Sequence, residues 1–353
     1  MVILHIANID SSILGGVQVA VPEMVLAQSK YAEVGFLNTN GTEFSGINML
    51  PWEQEFDLDS FVPPFNKPDI VVFHEIYRPE FIGIYKTLKK KGVPYIIIPH
   101  GGLTKQAQSR KFLKKTVANF LMFRKFVYLA KAVQYLSERE AQKSVFEVDN
   151  FVCGDGIKIP DKFRNEFGKH EKKLLYIGRL EIEIKGLDLL VRAISQSSET
   201  LRKANCKLYI YGPDCEGERE RLDKMIKENN CSDLIILGSE ITGEDKEAEL
   251  LSSDYYIQTS RSEGMPMGLI EALSYGVPCI VTKGTGLAEM IAENHAGYTC
   301  ETSVCEIQKA IIEALDNFHE IEMKSKKARQ LATEKFDRNV IAAETVDNYR
   351  RFV

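Results

Sequence analysis

The chain has no apolar run of 18 residues, no Cys-x-x-Cys, no His-x-x-x-His and no complete Gly-x-Gly-x-x-Gly after its first strand-like segment. The first absence excludes a membrane-spanning helix. The second and third remove the usual zinc frames and the thioredoxin-type redox pair. The fourth argues against a dinucleotide oxidoreductase. There is no excess of positive charge either: the net charge is −5, so whole-chain electrostatics give no case for a nucleic-acid partner. The opening Met1-Val2-Ile3-Leu4-His5-Ile6-Ala7 lacks a basic n-region and reads as a buried first strand rather than a signal peptide. Seven cysteines, an odd number without paired spacing, point to reduced thiols in a cytoplasmic protein. Cys279 lies in an apolar run and reads as a small core hydrophobe.

What is present is the composition of a folded globular protein, 44% hydrophobic and 27% charged, over 353 residues, enough for two domains of ordinary size. Apolar runs at 2–6, 32–37, 70–74, 95–99, 132–136 and 150–153 read as strands in the first half. In the second half the runs are 173–177, 207–211, 234–237, 255–259 and 279–282. Amphipathic helical stretches lie between them, the pattern of parallel sheets covered by helices on both faces. The alternation restarts after the turn-rich Cys153-Gly154-Asp155-Gly156-Ile157. The expected domains are therefore 1–157 and 158–337, two doubly wound α/β domains with a cleft between them and ligands beyond the carboxyl ends of the strands. The tail from Phe336 to Phe352 is amphipathic, with Val340, Ile341, Val346, Tyr349 and Phe352 sharing roughly one face, and it can pack on either domain.

The most informative segment holds Glu263 and Glu271, with seven residues between them, in Arg261-Ser262-Glu263-Gly264-Met265-Pro266-Met267-Gly268-Leu269-Ile270-Glu271. A strand precedes it and a helix starts near Pro266, where a missing N–H costs nothing. Glu263 then lies in a strand-to-helix loop and Glu271 one to two turns into the helix. Free N–H groups at a helix start attract anions. Carboxylates accept hydrogen bonds from hydroxyls. A ligand with a phosphate and many hydroxyls, such as a nucleotide sugar, fits both. Either Glu alone is better explained by the helix dipole; the pair, the Gly-Met-Pro-Met-Gly insert and the flanking strands together favour a site.

Other clusters fall at strand ends. Gly178-Arg179 closes one strand, and Lys185, six residues after Arg179, opens a helix before Gly186; together they form a candidate diphosphate clamp. Gly15-Gly16 follows the first strand and would let backbone approach a ligand, or simply make a turn. His100, in Pro99-His100-Gly101, ends another strand, and His74-Glu75 ends the one before it; both are candidates to line a cleft. Gly284-Thr285-Gly286, half of a dinucleotide fingerprint, reads as a ligand-facing loop. Residues 104–131 carry eight basic and no acidic side chains, interleaved with Phe, Leu and Val. That stretch is either a core helix with a basic face or a contact with anionic lipid.

In this order the clusters resemble the retaining glycosyltransferases of family 4, which have the GT-B fold. The matching residues are Gly15-Gly16, Pro99-His100-Gly101, Ser137-Glu138-Arg139-Glu140, Asp155-Gly156-Ile157, Gly178-Arg179-Leu180 with Lys185-Gly186, Gly212-Pro213-Asp214 and the Glu263 to Glu271 block. The likeness is strongest over 174–290, and Pro99-His100-Gly101 with the basic run behind it looks like bacterial enzymes that build surface polysaccharides. Five residues separate Arg179 from Lys185 where the family more often has four, and Asp155 stands for the commoner Asn.

The resemblance implies two Rossmann-like domains facing across a cleft, with the C-terminal helix 338–353 returning to the first. The first domain would bind an acceptor and the second a nucleoside diphosphate sugar. Arg179 and Lys185 would hold the diphosphate, with amides around Met267, Gly268 and Leu269 on its phosphates and Gly16 approaching from the first domain. Glu271 would take the ribose hydroxyls and Glu263 those of the sugar, with His100 near the reacting centre. Gly15, Gly178, Gly212, Gly264 and Met265 complete the implied donor site. The implied reaction is a metal-independent, cofactor-free hexose transfer with retention, UDP-sugar favoured over GDP-sugar, to a glycan or lipid-linked saccharide. Its place is the cytoplasm, with the basic stretch as a candidate contact to the inner membrane face. A nucleotide-sugar epimerase and a non-catalytic sugar-binding module stay open beside it.

Overall fold

The computed structural model describes residues 1–10, 16–53, 55–105, 108, 122–167, 171–263 and 265–353. Gly15, Gly264 and most of the basic stretch, including Arg110, Lys111, Lys114 and Lys115, lie outside the described residues. The chain divides into two compact units, Met1–Gly156 with Arg338–Val353, and Ile157–Asp337.

The first unit is built on seven strands: β1 Val2–Ala7, β2 Glu33–Asn38, β3 Met49–Leu50, β4 Ile70–His74, β5 Tyr95–Ile98, β6 Ala132–Tyr135 and β7 Asn150–Val152. They pair in parallel in the order β3-β2-β1-β4-β5-β6-β7. Parallel strands buried on both faces read as continuous apolar runs rather than alternations. In β1 Ile3, Leu4, His5, Ile6 and Ala7 are all fully buried, with Ile3 in register with Val34 on one side and Ile70 on the other. One face packs Leu4, Val71, Phe73 and Ile97 against Phe81 and Phe126. The other packs Ile3, Phe36, Val72 and Ile98 against Val21, Val346 and Tyr349.

The last two of those belong to the helix Arg338–Arg350, which lies against the helix Gly16–Gln28. Its buried residues are Ala342, Thr345, Val346 and Tyr349, spaced i, i+3, i+4 and i+7 as one helix face requires. This corrects the face expected from sequence. Val340 is 45% exposed, because it lies two positions from Ala342, about 200° around the helix; Ala342 and Thr345 take the seam.

The second unit has six strands: β8 Lys172–Ile177, β9 Cys206–Tyr211, β10 Ile235–Leu237, β11 Tyr255–Gln258, β12 Cys279–Thr282 and β13 Gly297–Cys300. All are parallel, in the order β10-β9-β8-β11-β12-β13. Helices cover both faces, Leu187, Leu190, Ile194, Ile307 and Ile311 on one and Leu269, Ile270, Leu273, Ile291 and Leu331 on the other. After β8 the chain moves outward to β9 and β10, then returns to place β11 on the other side of β8. The connections leaving β8 and β11 therefore diverge, which opens a crevice at their carboxyl ends. Two strands, β3 and β13, go beyond those read from the sequence. Among the described residues no helix is long and apolar enough to cross a membrane.

Candidate active site

At the switch point of the second sheet, β8 runs into Gly178-Arg179 and the short helix Ile182–Lys185, while β11 runs into the Ser260–Glu263 loop. The two connections are stitched together. Thr259 Oγ1 donates to the carbonyls of Lys185 (3.2 Å) and Gly186 (3.0 Å). The Arg261 amide donates to Ile184 O at 2.9 Å, and the Arg261 guanidinium grips both carboxylate oxygens of Asp188 at 2.7 Å. Gly186 makes the approach feasible: its φ is +66°, and a Cβ there would stand 2.0 Å from Thr259 O.

This stitching brings Lys185 against Glu263. Lys185 Nζ pairs with Glu263 Oε1, and both side chains are largely buried, 12% and 17% exposed. The other oxygen of Glu263 accepts from Gln258 Nε2 and from Ser260 Oγ at 2.9 Å. Its backbone is clasped by the loop after β12, where Glu263 N donates to Gly284 O and Gly286 N donates to Glu263 O, each at 3.0 Å. The Gly284-Thr285-Gly286 loop thus holds Glu263 in place, a more specific task than the ligand-facing one read from sequence. The sequence reading does not single out Gln258 or Ser260. The available signal was a Gln at the carboxyl end of the apolar Tyr255-Tyr256-Ile257 run, an uncommon place for an amide unless it has a partner.

Arg179 is 65% exposed and pairs with Glu181 at 3.1 Å; it sits in the same connection as Lys185. Beneath it the Tyr176 hydroxyl donates to Arg179 O at 3.0 Å and the Tyr256 hydroxyl to Ile177 O at 2.7 Å. Burial, reinforced by the Glu263 carboxylate, raises both phenols well above their ordinary pKa, so they stay protonated and act as donors. Gly178 and Gly212 meet at the ends of β8 and β9, where Gly178 N donates to Tyr211 O.

Glu271 lies in the second turn of the helix Met267–Ser274. Its carboxylate pairs with Lys246 of a neighbouring helix, a partner that nothing in the sequence indicated. The helix begins at Pro266 with no side-chain cap and no acidic residue in its first turn. The Leu269 amide turns back to Pro266 O at 3.0 Å. That leaves the Met267 and Gly268 amides as the available donors of the expected trio, among the described residues. Met265 packs against the core beneath.

In the first unit, Gly16 opens the helix Gly16–Gln28. His100 follows β5 in a left-handed conformation, φ +46°, uncommon for a residue with a side chain. The loop is braced by Glu140, whose carboxylate accepts from the amides of Gly101 at 2.6 Å and Leu136 at 2.9 Å. His74, expected to line a cleft, is fully buried instead. Its Nδ1 lies 3.1 Å from His100 Nε2 and its Nε2 lies 2.9 Å from His5 Nδ1. Glu75 beside it is paired with Arg78. Burial pushes His5 and His100 down to about 4, and His74 well below its ordinary pKa. All three rings are therefore neutral at pH 7, and His100 acts as a hydrogen-bonding group, not a cation.

Two parallel-sheet units, the second with paired charges at its switch point, define a GT-B-type α/β protein similar to the bacterial polysaccharide glycosyltransferases. The family model described as Glycosyl transferases group 1 matches residues 158–332, nearly all of the second unit. The chain is 23% identical over 196 residues to the MMP alpha-(1->4)-mannosyltransferase of Mycolicibacterium hassiacum, covering 54% of this chain and 46% of that protein. It is 30% identical over 184 residues to the amylovoran biosynthesis glycosyltransferase AmsD of Erwinia amylovora, covering 51% and 49%. The matches thus span about half the length of these curated relatives. Among solved structures, Anabaena HepE in complex with UDP and glucose superposes with a TM-score of 0.70 at 15% identity, covering 99% of this chain and all of that one.

Proposed function

We propose that the protein is a retaining, metal-independent glycosyltransferase. It moves a hexose-type sugar from a nucleoside diphosphate sugar, UDP favoured and GDP next, to a glycan or lipid-linked saccharide in cell-surface polysaccharide synthesis, on the cytoplasmic side. The second unit holds the donor and the first receives the acceptor. The observation that carries this reading is the buried Lys185–Glu263 pair beside the uncapped start of Met267–Ser274, at the switch point of a sheet inside the family-matched segment. The biosynthetic role in the name of the Erwinia relative and the UDP and glucose held by the Anabaena neighbour support the substrate class.

A diphosphate entering the switch point competes with Glu263 for the Lys185 ammonium. The freed carboxylate then accepts hydrogen bonds from sugar hydroxyls, with Gln258 and Ser260 keeping its second oxygen in place. Glu271 accepts from the ribose. As the glycosidic bond breaks, negative charge grows on the diphosphate, where Arg179, Lys185 and the Met267 and Gly268 amides stabilise it. The acceptor hydroxyl attacks from the same face and its proton passes to the departing phosphate. His100, neutral, holds a sugar hydroxyl.

A thermal-shift screen of nucleotide sugars tests the donor assignment. A ligand at 100 times its Kd stabilises by about 2.7 kcal/mol, so a UDP-sugar is expected to raise Tm several degrees, and less so in Lys185→Ala. The assignment fails if no nucleotide sugar shifts the melt, or if Lys185→Ala responds as the parent does.

A further inference from the structure

The His100 ring is the outer end of a row of neighbouring buried polar side chains that crosses the first unit. From the inside outward, Gln134 Nε2 donates to the Cys153 carbonyl at 3.0 Å, and Tyr349 Oη donates to Gln134 Oε1 at 2.8 Å. The Gln28 amide lies beside the Tyr349 hydroxyl, and its Oε1 is 3.0 Å from His5 Nε2. His5 Nδ1 then meets His74 Nε2 at 2.9 Å, and His74 Nδ1 meets His100 Nε2 at 3.1 Å. Gln28, Gln134, His5, His74 and Tyr349 are all fully buried, whereas His100 is partly exposed. Of these five, only His74 touches a residue assigned to the site above, and that residue is His100 itself.

The row has a direction, set at its inner end by a group that can only accept. A backbone carbonyl has no proton, so Gln134 must turn its NH2 to Cys153 and its oxygen to Tyr349. The Tyr349 proton is then committed to Gln134. Its oxygen is left as an acceptor, and the Gln28 Nε2 beside it, a buried amide nitrogen that closes no hydrogen bond in the structure, is the donor at hand for it. Gln28 therefore presents its oxygen to His5, and His5 carries its proton on Nε2. A neutral imidazole has one donor and one acceptor, so His5 Nδ1 accepts from His74 Nε2–H and His74 Nδ1 accepts from His100 Nε2–H.

We propose that Tyr349, Gln28, His5 and His74 are positioning residues that fix His100 in the Nε2–H tautomer, leaving its Nδ1 lone pair as an obligate acceptor for a ligand hydroxyl. His100 Nδ1 has no partner among the described residues. The row also accounts for a Tyr on the C-terminal helix and a His in the middle of the first strand, neither of which the transfer chemistry uses directly. The tautomer assignment stands on the first unit alone; that the hydroxyl belongs to a sugar rests on the proposed function.

The test is long-range 15N–1H correlation on the full chain labelled at histidine, with His100→Gln identifying the His100 signals. At pH 7 His5, His74 and His100 are expected to be protonated at Nε2 and bare at Nδ1. Tyr349→Phe removes one hydroxyl, frees the Gln28 amide to turn over, and is expected to put a proton on His100 Nδ1 in a substantial fraction of molecules. Should that variant not fold, Gln28→Met breaks the row nearer His100 and is expected to do the same. A wild-type His100 protonated at Nδ1, or variants that leave all three tautomers unchanged, overturns the proposal. Turnover separates the two readings: kcat in Tyr349→Phe is expected to fall about tenfold with donor KM little changed. A changed tautomer with unchanged kcat would sustain the row and overturn the placement of His100 against the sugar.

Discussion

Replacing Gly186 by Ala should damage both the fold and the site, and the size of the effect follows from two separable costs. The first is conformational: at φ +66° a residue with a Cβ is strained by about 1–2 kcal/mol. The second is a collision, because the new methyl would stand 2.0 Å from the Thr259 carbonyl oxygen and 3.0 Å from its carbon. Thr259 is buried directly after the fully buried strand β11 and cannot yield, so the segment carrying Lys185 must move away. That motion strains the bonds of Thr259 Oγ1 to Lys185 O and Gly186 O and of the Arg261 amide to Ile184 O, each worth about 1 kcal/mol. The total is roughly 3 kcal/mol or more. Gly217→Ala is the control: φ is +83°, but the added methyl would meet nothing within 4 Å, so only the conformational cost of about 1–2 kcal/mol applies. Urea titration followed by circular dichroism should place Gly186→Ala well below Gly217→Ala in midpoint. Calorimetry should show weakened UDP binding in the first only. Equal midpoints for the two variants, with UDP affinity unchanged in both, would refute the claim that close contact between the β8 and β11 connections positions Lys185.

The three buried histidines make a pH prediction. Their folded-state pKa values are depressed, to about 4 for His5 and His100, against about 6.5 in an unfolded chain. The unfolded state therefore binds protons first, and the stability they contribute is present above pH 6.5 and lost as the pH falls toward 4. On the order of 2 kcal/mol each from His5 and His100 should disappear between pH 7 and pH 5, with His74 acting in the same direction, measurable as a falling urea midpoint; a flat profile would show that the rings are accessible to protons in the fold. For the membrane, the described part of the basic stretch exposes Arg124, Lys125 and Lys131 with Met122, Tyr128 and Leu129 beside them. Flotation with liposomes should show binding that needs anionic lipid and weakens with salt; equal binding to neutral vesicles, or none to either, counts against it.

Much of the second unit was legible because its site residues sit directly after apolar runs. Arg179 follows Lys172–Ile177 and Glu263 follows Tyr255–Gln258, so a strand reading alone placed both at carboxyl ends. What joins them was hidden. Lys185 and Glu263 are 78 positions apart, and only the β8–β11 adjacency brings them into contact. The Lys246 partner of Glu271 depends on helix packing that no local pattern encodes. His5 and His74 were concealed for another reason: in strands buried on both faces a polar residue interrupts no alternation, and their partners come from other strands and helices. β13 escaped because Gly297-Tyr298-Thr299-Cys300 is short and only half apolar, and β3 because it has two residues. The C-terminal helix is legible as an amphipathic segment, and Val346 and Tyr349 lie on its buried face, but the seam against Gly16–Gln28 also takes the small Ala342 and Thr345, which an apolar pattern does not single out.

The central claim is that this chain transfers a sugar from a nucleotide donor with retained configuration. Its most direct test incubates the full chain with a UDP-sugar and a panel of saccharide acceptors, and follows free UDP and the anomeric proton of the product by NMR. The expected result is UDP release that depends on acceptor, a product with the donor's anomeric configuration, and turnover reduced a hundredfold or more in Lys185→Ala, as loss of about 2.7–4 kcal/mol of transition-state stabilisation requires. A product of inverted configuration, conversion of the nucleotide sugar to its epimer without acceptor, or full activity in Lys185→Ala would contradict it.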